Sequence, residues 1–336
     1  MSSSQPCSRY SRLAPLSLEQ RVQVSLVALN FFSPMSYEKV CAVIDRPQTP
    51  GRTEPLDGGE FIKYLERSGV LPESSRYTTR IRDLLSQLEA AGLLTAMGQG
   101  RDVRIGKRYY FLKELTTLER KGVLWISKAL GAQFIHNAFA SVTFQITGAD
   151  EAGDIHAGTA LAVGPNWLLT CAHVLTDMRV HEEQYLAGRL HRVLRTTHHP
   201  SIDVGLIFIE PTVEVLPALA FRDPELSETL FTFGYPRVPL ARAPALVMQR
   251  GEVTSTEVTL LDGSRVFLYS AVARPGNSGG PILSASGHVL GIVTEELADE
   301  ARRPTLPFHA GVAASTISAA LAEIEPAVLL PFENYD

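Results

Sequence analysis

RPGNSGGP, residues 274–281, is the stretch that decides the fold. It holds one serine hydroxyl on a turn too rich in glycine to be ordinary core. A serine becomes a nucleophile when a base, a group that orients the base, and donors for the oxyanion surround it. Gly276 can present its backbone N–H beside that of Ser278, because a residue without a Cβ readily adopts φ > 0. The stretch therefore predicts a nucleophile, Ser278, and an oxyanion hole made by Gly276 and Ser278.

Two stretches upstream supply the other groups, WLLTCAHV (167–174) and SIDVGLIFI (201–209). The first is an apolar strand pattern with a histidine at its end, so His173 is the candidate base. The second has a single carboxylate ahead of a buried strand, so Asp203 is the candidate orienting group. The order along the chain is therefore His, Asp, Ser.

That order separates two classes of hydrolase. In the G-x-S-x-G elbow of α/β-hydrolases, the acid and the histidine both follow the serine. His288 and His309 do follow Ser278 here. However, no alternation of strands and helices surrounds the turn, and the segments around His173 and Asp203 would be left without a role. The pattern favours an all-β fold with the base and the acid upstream of the nucleophile.

The segments TCAH (170–173), DVGL (203–206) and GNSGGP (276–281) resemble the trypsin-like (chymotrypsin-fold) serine proteases in order and in character. The resemblance covers about residues 141–324. It implies that His173 takes the proton of Ser278 and later delivers it to the leaving amine. It also implies that Asp203 holds the tautomer of the imidazole, and that Ser278 forms an acyl-enzyme.

The residue before the nucleophile departs from many secreted members of that family. They carry an aspartate there, and a newly cleaved N-terminal amine pairs with it to form the oxyanion hole. Asn277 has no charge to pair. The motif is instead similar to the HtrA/Deg-type branch, which needs no such cleavage, although no PDZ domain is expected after residue 324. We therefore expect an enzyme that is not activated by proteolysis.

The resemblance also implies a pocket for the substrate side chain before the scissile bond (P1). Its predicted lining residues are Val272, Ala273, Thr294, Glu296 and Gly311. The two floor positions are not acidic, which favours a small or medium apolar P1 residue. Glu296 at the mouth leaves a basic P1 residue open, and His309 leaves an acidic one open.

Composition indicates an ordinary soluble globular protein, with 45% apolar and 20% charged residues. No apolar run approaches the roughly 18 residues of a membrane span, and the N-terminus lacks the pattern of a signal peptide. The three cysteines are widely spaced, which indicates a reducing cytosol and a cytoplasmic protein. No spacing of His and Cys predicts a metal site, and we expect no cofactor.

The first third of the chain has helical periodicity instead of the two-residue period of strands. Its helices, followed by LEAAGLL (88–94), a glycine turn and a basic strand, resemble a winged helix-turn-helix. Arginines such as Arg80 and Arg104 would suit nucleic acid. Acidic residues alternate with them, and residues 1–120 hold 17 Lys and Arg against 13 Asp and Glu, whereas the rest holds 14 against 23. This mild charge favours a protein partner or a ligand, with nucleic acid as the open alternative.

Together these patterns predict a multidomain chain. We expect an α-rich winged-helix-like regulatory or recognition domain over residues 1–112, a helical linker over 113–140, and an all-β, double-barrel trypsin-like protease domain with a C-terminal helix over 141–336. The predicted function is an intracellular serine endopeptidase that cleaves a protein substrate under control of its N-terminal domain, as in bacterial stress or phage-defence modules. The alternative is a nucleic-acid-binding regulator whose protease domain cleaves itself or serves as a scaffold.

Overall fold

The structure is a computed structural model that describes residues 15–100, 106–297 and 308–333. The chain divides into two compact units. Unit 1 comprises residues 1–114 and 128–133, and unit 2 comprises residues 115–127 and 134–336. Within the described ranges, no helix combines the length and the apolar character needed to cross a bilayer.

The described part of unit 1 before residue 114 contains four α-helices and a small antiparallel sheet. The helices are α1 (Leu18–Phe31), α2 (Tyr37–Ile44), α3 (Gly58–Arg67) and α4 (Thr78–Ala90). The strands are β1 (Leu56–Asp57), β2 (Thr95–Gln99) and β3 (Lys107–Tyr110), in the order β1-β3-β2. Ser17 caps α1 in a capping box with Gln20.

The core of unit 1 is built on aromatic side chains from two helices and the turn between them. Phe31, Phe32 and Phe61 are fully buried, and their ring centroids lie 4.8 to 5.5 Å apart. Rings at this spacing attract one another beyond their burial. The helices followed by a hairpin agree with the predicted order of elements, and the winged-helix interpretation stays a prediction. Arg101 and Arg104, which belong to it, lie outside the described residues.

The segment 113–140, predicted as a helical linker, is helical in short pieces. It contains single 3₁₀ turns at Glu119–Lys121 and Leu124–Ile126, then α5 (Ser127–Leu130) and α6 (Ala132–Ala140). Two glycines explain the breaks. Gly122 is extended, and a Cβ there would lie 2.5 Å from the carbonyl oxygen of Pro217. Gly131 has φ +79°, which ends α5.

The first half of unit 2 is a seven-stranded antiparallel sheet. Its strands are β4 (Thr143–Ala149), β5 (Ile155–Gly164), β6 (Trp167–Thr170), β7 (Arg179–Val180), β8 (Glu183–Leu186), β9 (Arg189–His198) and β10 (Gly205–Glu210). They pair in the order β7-β4-β5-β6-β10-β9-β8. The strands β7 to β9 lie between His173 and Asp203 along the chain. Most of β9 is exposed, so its sequence lacks the apolar alternation that marks a strand.

The second half of unit 2 closes into a barrel. Its strands are β11 (Thr229–Gly234), β12 (Val247–Thr259), β13 (Arg265–Tyr269), β14 (Pro281–Ser284), β15 (Val289–Leu297) and β16 (Phe308–Ala313), paired as β11-β12-β13-β16-β15-β14. The helix α7 (Ala172–Thr176) lies in the first half, and α8 (Ala314–Ile324) follows the barrel. The order of a helical region, β-rich halves and a closing helix confirms the predicted fold class. The second half is closed, whereas among the described residues the edge strands β7 and β8 of the first half share no ladder.

Replacing Phe61 with alanine should destabilise unit 1. The ring is completely buried between Phe31 and Phe32. Phe61→Ala should therefore lower the free energy of unfolding of unit 1 by about 3–5 kcal/mol. Native-state hydrogen exchange of the α3 amides measures this loss. Met35→Ala is the control, because that side chain is 93% exposed and its removal should change protection by less than about 0.5 kcal/mol. Equal protection in both variants would contradict this account of the core.

Candidate active site

The candidate base and its orienting carboxylate are brought together by two paired strands. β6 and β10 are antiparallel, with Thr170 opposite Gly205. His173 follows the end of β6 and Asp203 precedes the start of β10, so this pairing places both at the same edge of the sheet. We expected His173 at the end of a strand, but it does not lie there. β6 ends at Thr170, and His173 lies in the short helix α7.

His173 and Asp203 form a direct pair. Nδ1 of His173 lies 2.8 Å from Oδ2 and 3.0 Å from Oδ1 of Asp203, and the backbone N–H of His173 donates to Oδ1 at 3.0 Å. Thr294 on β15 donates its hydroxyl to Oδ2 of the same carboxylate. The contact at Nδ1 leaves Nε2 as the nitrogen that can act as a base. These hydrogen bonds fix the carboxylate from two sides.

The environment of Asp203 keeps it ionised. Burial would raise its pKa, but the hydrogen bonds and the positive charge of His173, together with the hydroxyl of Thr294, outweigh burial and lower the pKa to about 2. An ionised carboxylate at this position favours the protonated form of the histidine that it contacts. The pair can therefore support a proton transfer onto His173.

The candidate nucleophile lies on a turn that presents two backbone donors. Gly276 has φ +98°, in the left-handed region that favours glycine, as the sequence predicted. Across the described chain, neither the N–H of Gly276 nor that of Ser278 has a hydrogen-bond acceptor. Two unoccupied N–H groups beside a serine can hold the oxygen of a tetrahedral intermediate.

The glycines after the serine are required by close backbone contacts. A Cβ at Gly279 would lie 2.2 Å from the carbonyl oxygen of Thr159, and one at Gly280 would lie 1.9 Å from that of Phe233. Gly279 also has φ +81°. The turn therefore packs closely against both β5 and β11, and this packing fixes the position of Ser278.

One cleft contains the groups predicted to carry the chemistry. His173, Gly276, Ser278, Ala273 and Thr294 all line it, and its volume is about 370 Å³. A second cavity, of about 210 Å³, is lined by Asp203 and shares His173 and Thr294 with the first. The structure thus places the predicted base, nucleophile and oxyanion donor on one concave surface.

Only some of the residues predicted to line the P1 pocket lie in the cleft. Ala273 lines the cleft, whereas the neighbouring Val272 is 43% exposed and does not. Gly311 faces the barrel interior, because a Cβ there would lie 2.4 Å from Cδ1 of Ile282. Glu296 lies on β15, and its side chain is outside the described residues.

Two other side chains near this pocket have partners of their own. Thr294, predicted as a wall, contributes its hydroxyl to Asp203. His309 accepts the N–H of Ala273 at Nδ1, at 3.4 Å. Sequence reasoning missed the role of Thr294, since the partner of a hydroxyl depends on how β15 meets the other half of the unit.

Cys171, His173 and Asp203 offer ligand atoms within 4.8 Å of one another. The hydrogen bonds already described use these atoms differently. Sγ of Cys171 donates to the carbonyl oxygen of Val293, and Nδ1 of His173 contacts the carboxylate. The donor set therefore fits a histidine–carboxylate pair, and a metal there would have to displace both contacts.

Residues 158–292 match the family model of the trypsin-like peptidase domain. The chain contains a trypsin-like peptidase domain. The match includes His173, Asp203 and Ser278, and the domain type is that of a serine endopeptidase.

The peptidase domain has relatives of known sequence and structure. An uncharacterised protein, y4bJ, of Sinorhizobium fredii is 31% identical over 102 residues, which are 29% of this chain and 15% of that protein's length. The active form of the Rv3671c protease from M. tuberculosis is 19% identical, with a TM-score of 0.48 over 59% of this chain and 86% of that one. A serine endoprotease from Yersinia pestis is 16% identical, with a TM-score of 0.43 over 57% and 65%.

The lowered pKa of Asp203 predicts a pH-dependent contribution to stability. The carboxylate stabilises the fold fully above its unfolded pKa of 3.8, and this contribution is lost as the pH falls through the folded pKa of about 2. Thermal unfolding of the wild type and of Asp203→Asn from about pH 6 to about pH 2 should show the wild type's advantage shrinking in that window. An advantage that stays constant over the range would contradict the assignment.

Proposed function

We propose that this chain is a serine endopeptidase that cleaves a protein substrate through Ser278, His173 and Asp203. The observation that carries the proposal is the joint arrangement of the cleft. A histidine bonded to an ionised carboxylate lines the same cavity as a serine, and among the described residues the backbone N–H groups of that serine and of Gly276 have no acceptor. Nucleophilic acyl transfer needs all of these groups together.

In the acylation step, Nε2 of His173 takes the proton of the Ser278 hydroxyl while its oxygen attacks the substrate carbonyl. The N–H groups of Gly276 and Ser278 stabilise the negative charge that develops on the carbonyl oxygen. His173 then donates its proton to the leaving amine, and the acyl-enzyme remains on Ser278. Asp203 keeps the imidazole in the required tautomer and stabilises its protonated form.

In the deacylation step, water takes the place of the departed amine. His173 removes a proton from the water, whose oxygen attacks the acyl carbonyl, and the proton then returns to Ser278. Thr294 acts through Asp203, because its hydroxyl holds the oxygen that also faces His173. The cycle regenerates the free serine without a cofactor.

The neutral residue beside the nucleophile supports activity without prior cleavage. Asn277 is 1% exposed and has no charge that a new N-terminal amine could pair with. The turn nevertheless has the left-handed Gly276 and the two available N–H groups in the uncleaved chain. Control must then lie outside the peptidase domain, and unit 1 is our candidate for the controlling element.

Unit 1 is better suited to a protein partner or a ligand than to nucleic acid. Six basic side chains in the described part of the unit form ion pairs within it, which reduces the charge that they can offer to phosphates. The pairs are Arg46 with Glu60, Arg52 with Glu54, Arg67 with Asp45, Arg76 with Glu73, Arg82 with Asp83, and Lys107 with Glu89. We propose a cytoplasmic enzyme whose unit 1 recognises a signal or a partner, as in a bacterial stress or defence module.

Replacing the nucleophile tests the proposed reaction. Ser278→Ala should lower kcat for hydrolysis of fluorescein-labelled casein by about 10⁶-fold, because the groups act as a unit. Asp203→Asn should lower it by about 10⁴-fold, because the imidazole loses its tautomer. Ser286→Ala is the matched control, since that serine lies outside the cleft lining, and it should keep wild-type activity. Wild-type hydrolysis by Ser278→Ala would refute the proposal.

Salt dependence tests the proposed role of unit 1. A protein that neutralises six or more DNA phosphates loses about 10³-fold or more in affinity between roughly 50 and 200 mM salt. We expect only weak binding of duplex DNA by the Ser278→Ala chain over this range, and no effect of DNA on hydrolysis by the wild type. Tight binding at the higher salt would favour the nucleic-acid alternative if it is lost in the double variant Arg80→Ala, Arg108→Ala. The control Arg67→Ala, whose arginine is ion-paired, should then keep it.

A further inference from the structure

We infer that Thr159, a buried residue of β5, is a positioning residue that holds the oxyanion hole in its working shape. The inference rests on the proposed function, because an oxyanion hole has a role only in acyl transfer. Thr159 belongs to the first sheet of unit 2, whereas the residues that it holds follow β11 and β13 in the barrel. It does not touch the reacting atoms, and it acts through the peptide groups that do.

The hydroxyl of Thr159 joins two segments of the barrel. It donates to the carbonyl oxygen of Gly276 at 2.7 Å, and it accepts the backbone N–H of Tyr235 at 3.0 Å. One donated and one accepted hydrogen bond define the direction of the hydroxyl proton. The side chain is completely buried, so water cannot take over these contacts without a change in packing.

The backbone of Thr159 holds the nucleophile itself. Its N–H donates to the carbonyl oxygen of Ser278 at 2.9 Å, and its own carbonyl oxygen accepts the hydroxyl of Thr170 at 2.8 Å. A single residue therefore contacts the carbonyl groups on both sides of Asn277, at Gly276 and at Ser278. The other face of the Ser278–Gly279 peptide is also held, because the N–H of Gly279 donates to Val293.

These contacts determine where the two catalytic N–H groups point. In a trans peptide the N–H and the C=O point in opposite directions, so fixing one fixes the other. The carbonyl oxygen of Pro275 accepts the N–H of Arg237, and that of Asn277 accepts the N–H of Gly280. The N–H groups of Gly276 and Ser278, which share those peptides, are thereby directed away from these partners.

The peptide between the two donors is the one that Thr159 controls. Its C=O is held by the Thr159 hydroxyl, and its N–H, on Asn277, donates to Arg274 at 2.9 Å. Rotation of this peptide would change the angle between the flanking N–H groups, so that they would no longer point at the same oxygen. The same hydroxyl also secures Tyr235, two residues before the Arg237 that holds Pro275.

A neutral hydroxyl thus stabilises the turn beside the uncharged Asn277. The carboxamide oxygen of Asn277 is buried and has no hydrogen-bond partner within the described ranges, so it makes no polar contact there. The hydroxyl of Thr159 is available in the uncleaved chain and needs no newly formed terminus. We assign to it the task of keeping the oxyanion hole assembled.

Replacing the hydroxyl with a methyl group tests the inference. Thr159→Val keeps the shape of the side chain but leaves Gly276 and Tyr235 without their partner. The readout is the second-order rate of phosphonylation of Ser278 by a fluorophosphonate, whose phosphoryl oxygen must enter the oxyanion hole. We expect a decrease of about 10²-fold, the size associated with misplaced catalytic groups. Thr159→Ser restores the hydroxyl and should stay within about tenfold of the wild type.

The fold supplies a matched control in Thr143 on β4. Its side chain is also completely buried, but its hydroxyl has no hydrogen-bond partner in the part of the chain that the structure describes. Thr143→Val should therefore react at the wild-type rate. Thermal unfolding of each variant separates a loss of stability from a loss of rate. If Thr159→Val does not fold, Thr159→Cys replaces it, and its weakly donating thiol should give a rate below that of the serine variant.

The outcomes separate this inference from the proposed function. A folded Thr159→Val that reacts as fast as Thr143→Val overturns the role of Thr159 while the peptidase assignment stands. A rate that falls only in proportion to lost thermal stability also overturns it, since that is the signature of a purely structural residue. A wild-type chain that does not react at Ser278 would instead remove the proposed function.

Discussion

The close approach of three backbone segments at Gly279 and Gly280 is the constraint on which the site depends. The carbonyl oxygens of Thr159 and Phe233 occupy the space that side chains at these positions would need. Only glycine fits there, and the cost of ordering glycine is offset by the strands that pack around it. Because β5 and β11 meet at this turn, the position of Ser278 is determined by both halves of unit 2.

The same convergence explains how the chemistry is divided. The first sheet contributes His173 and Asp203 through the pairing of β6 with β10, and the barrel contributes the proposed nucleophile, Ser278, and the N–H groups proposed as its oxyanion donors. Hydrogen bonds cross between the halves in both directions, from Thr159 to the nucleophile turn and from Thr294 to the carboxylate. Each half thus orients groups that the other half supplies, and neither half alone contains a complete site.

The sequence predicted the parts of this arrangement that rest on local chemistry. Glycine at 276 indicated a left-handed turn, and the order of His173, Asp203 and Ser278 indicated the fold. The hairpin formed by β8 and β9 could not be recognised, because most of β9 is exposed and its one fully buried side chain is a histidine, His191. The face of β16 on which Gly311 lies and the acceptor of the Thr294 hydroxyl depend on strand register and on contacts between the halves. Such tertiary relations leave no periodic signal in the chain.

The central claim is that the uncleaved chain already holds a working nucleophile. Intact-mass measurement of the 336-residue chain after treatment with a fluorophosphonate, followed by peptide mapping, tests it most directly. The account predicts one adduct per uncleaved chain, located on Ser278. An adduct that forms only after the chain has been cut, or that lies on another residue, would contradict it.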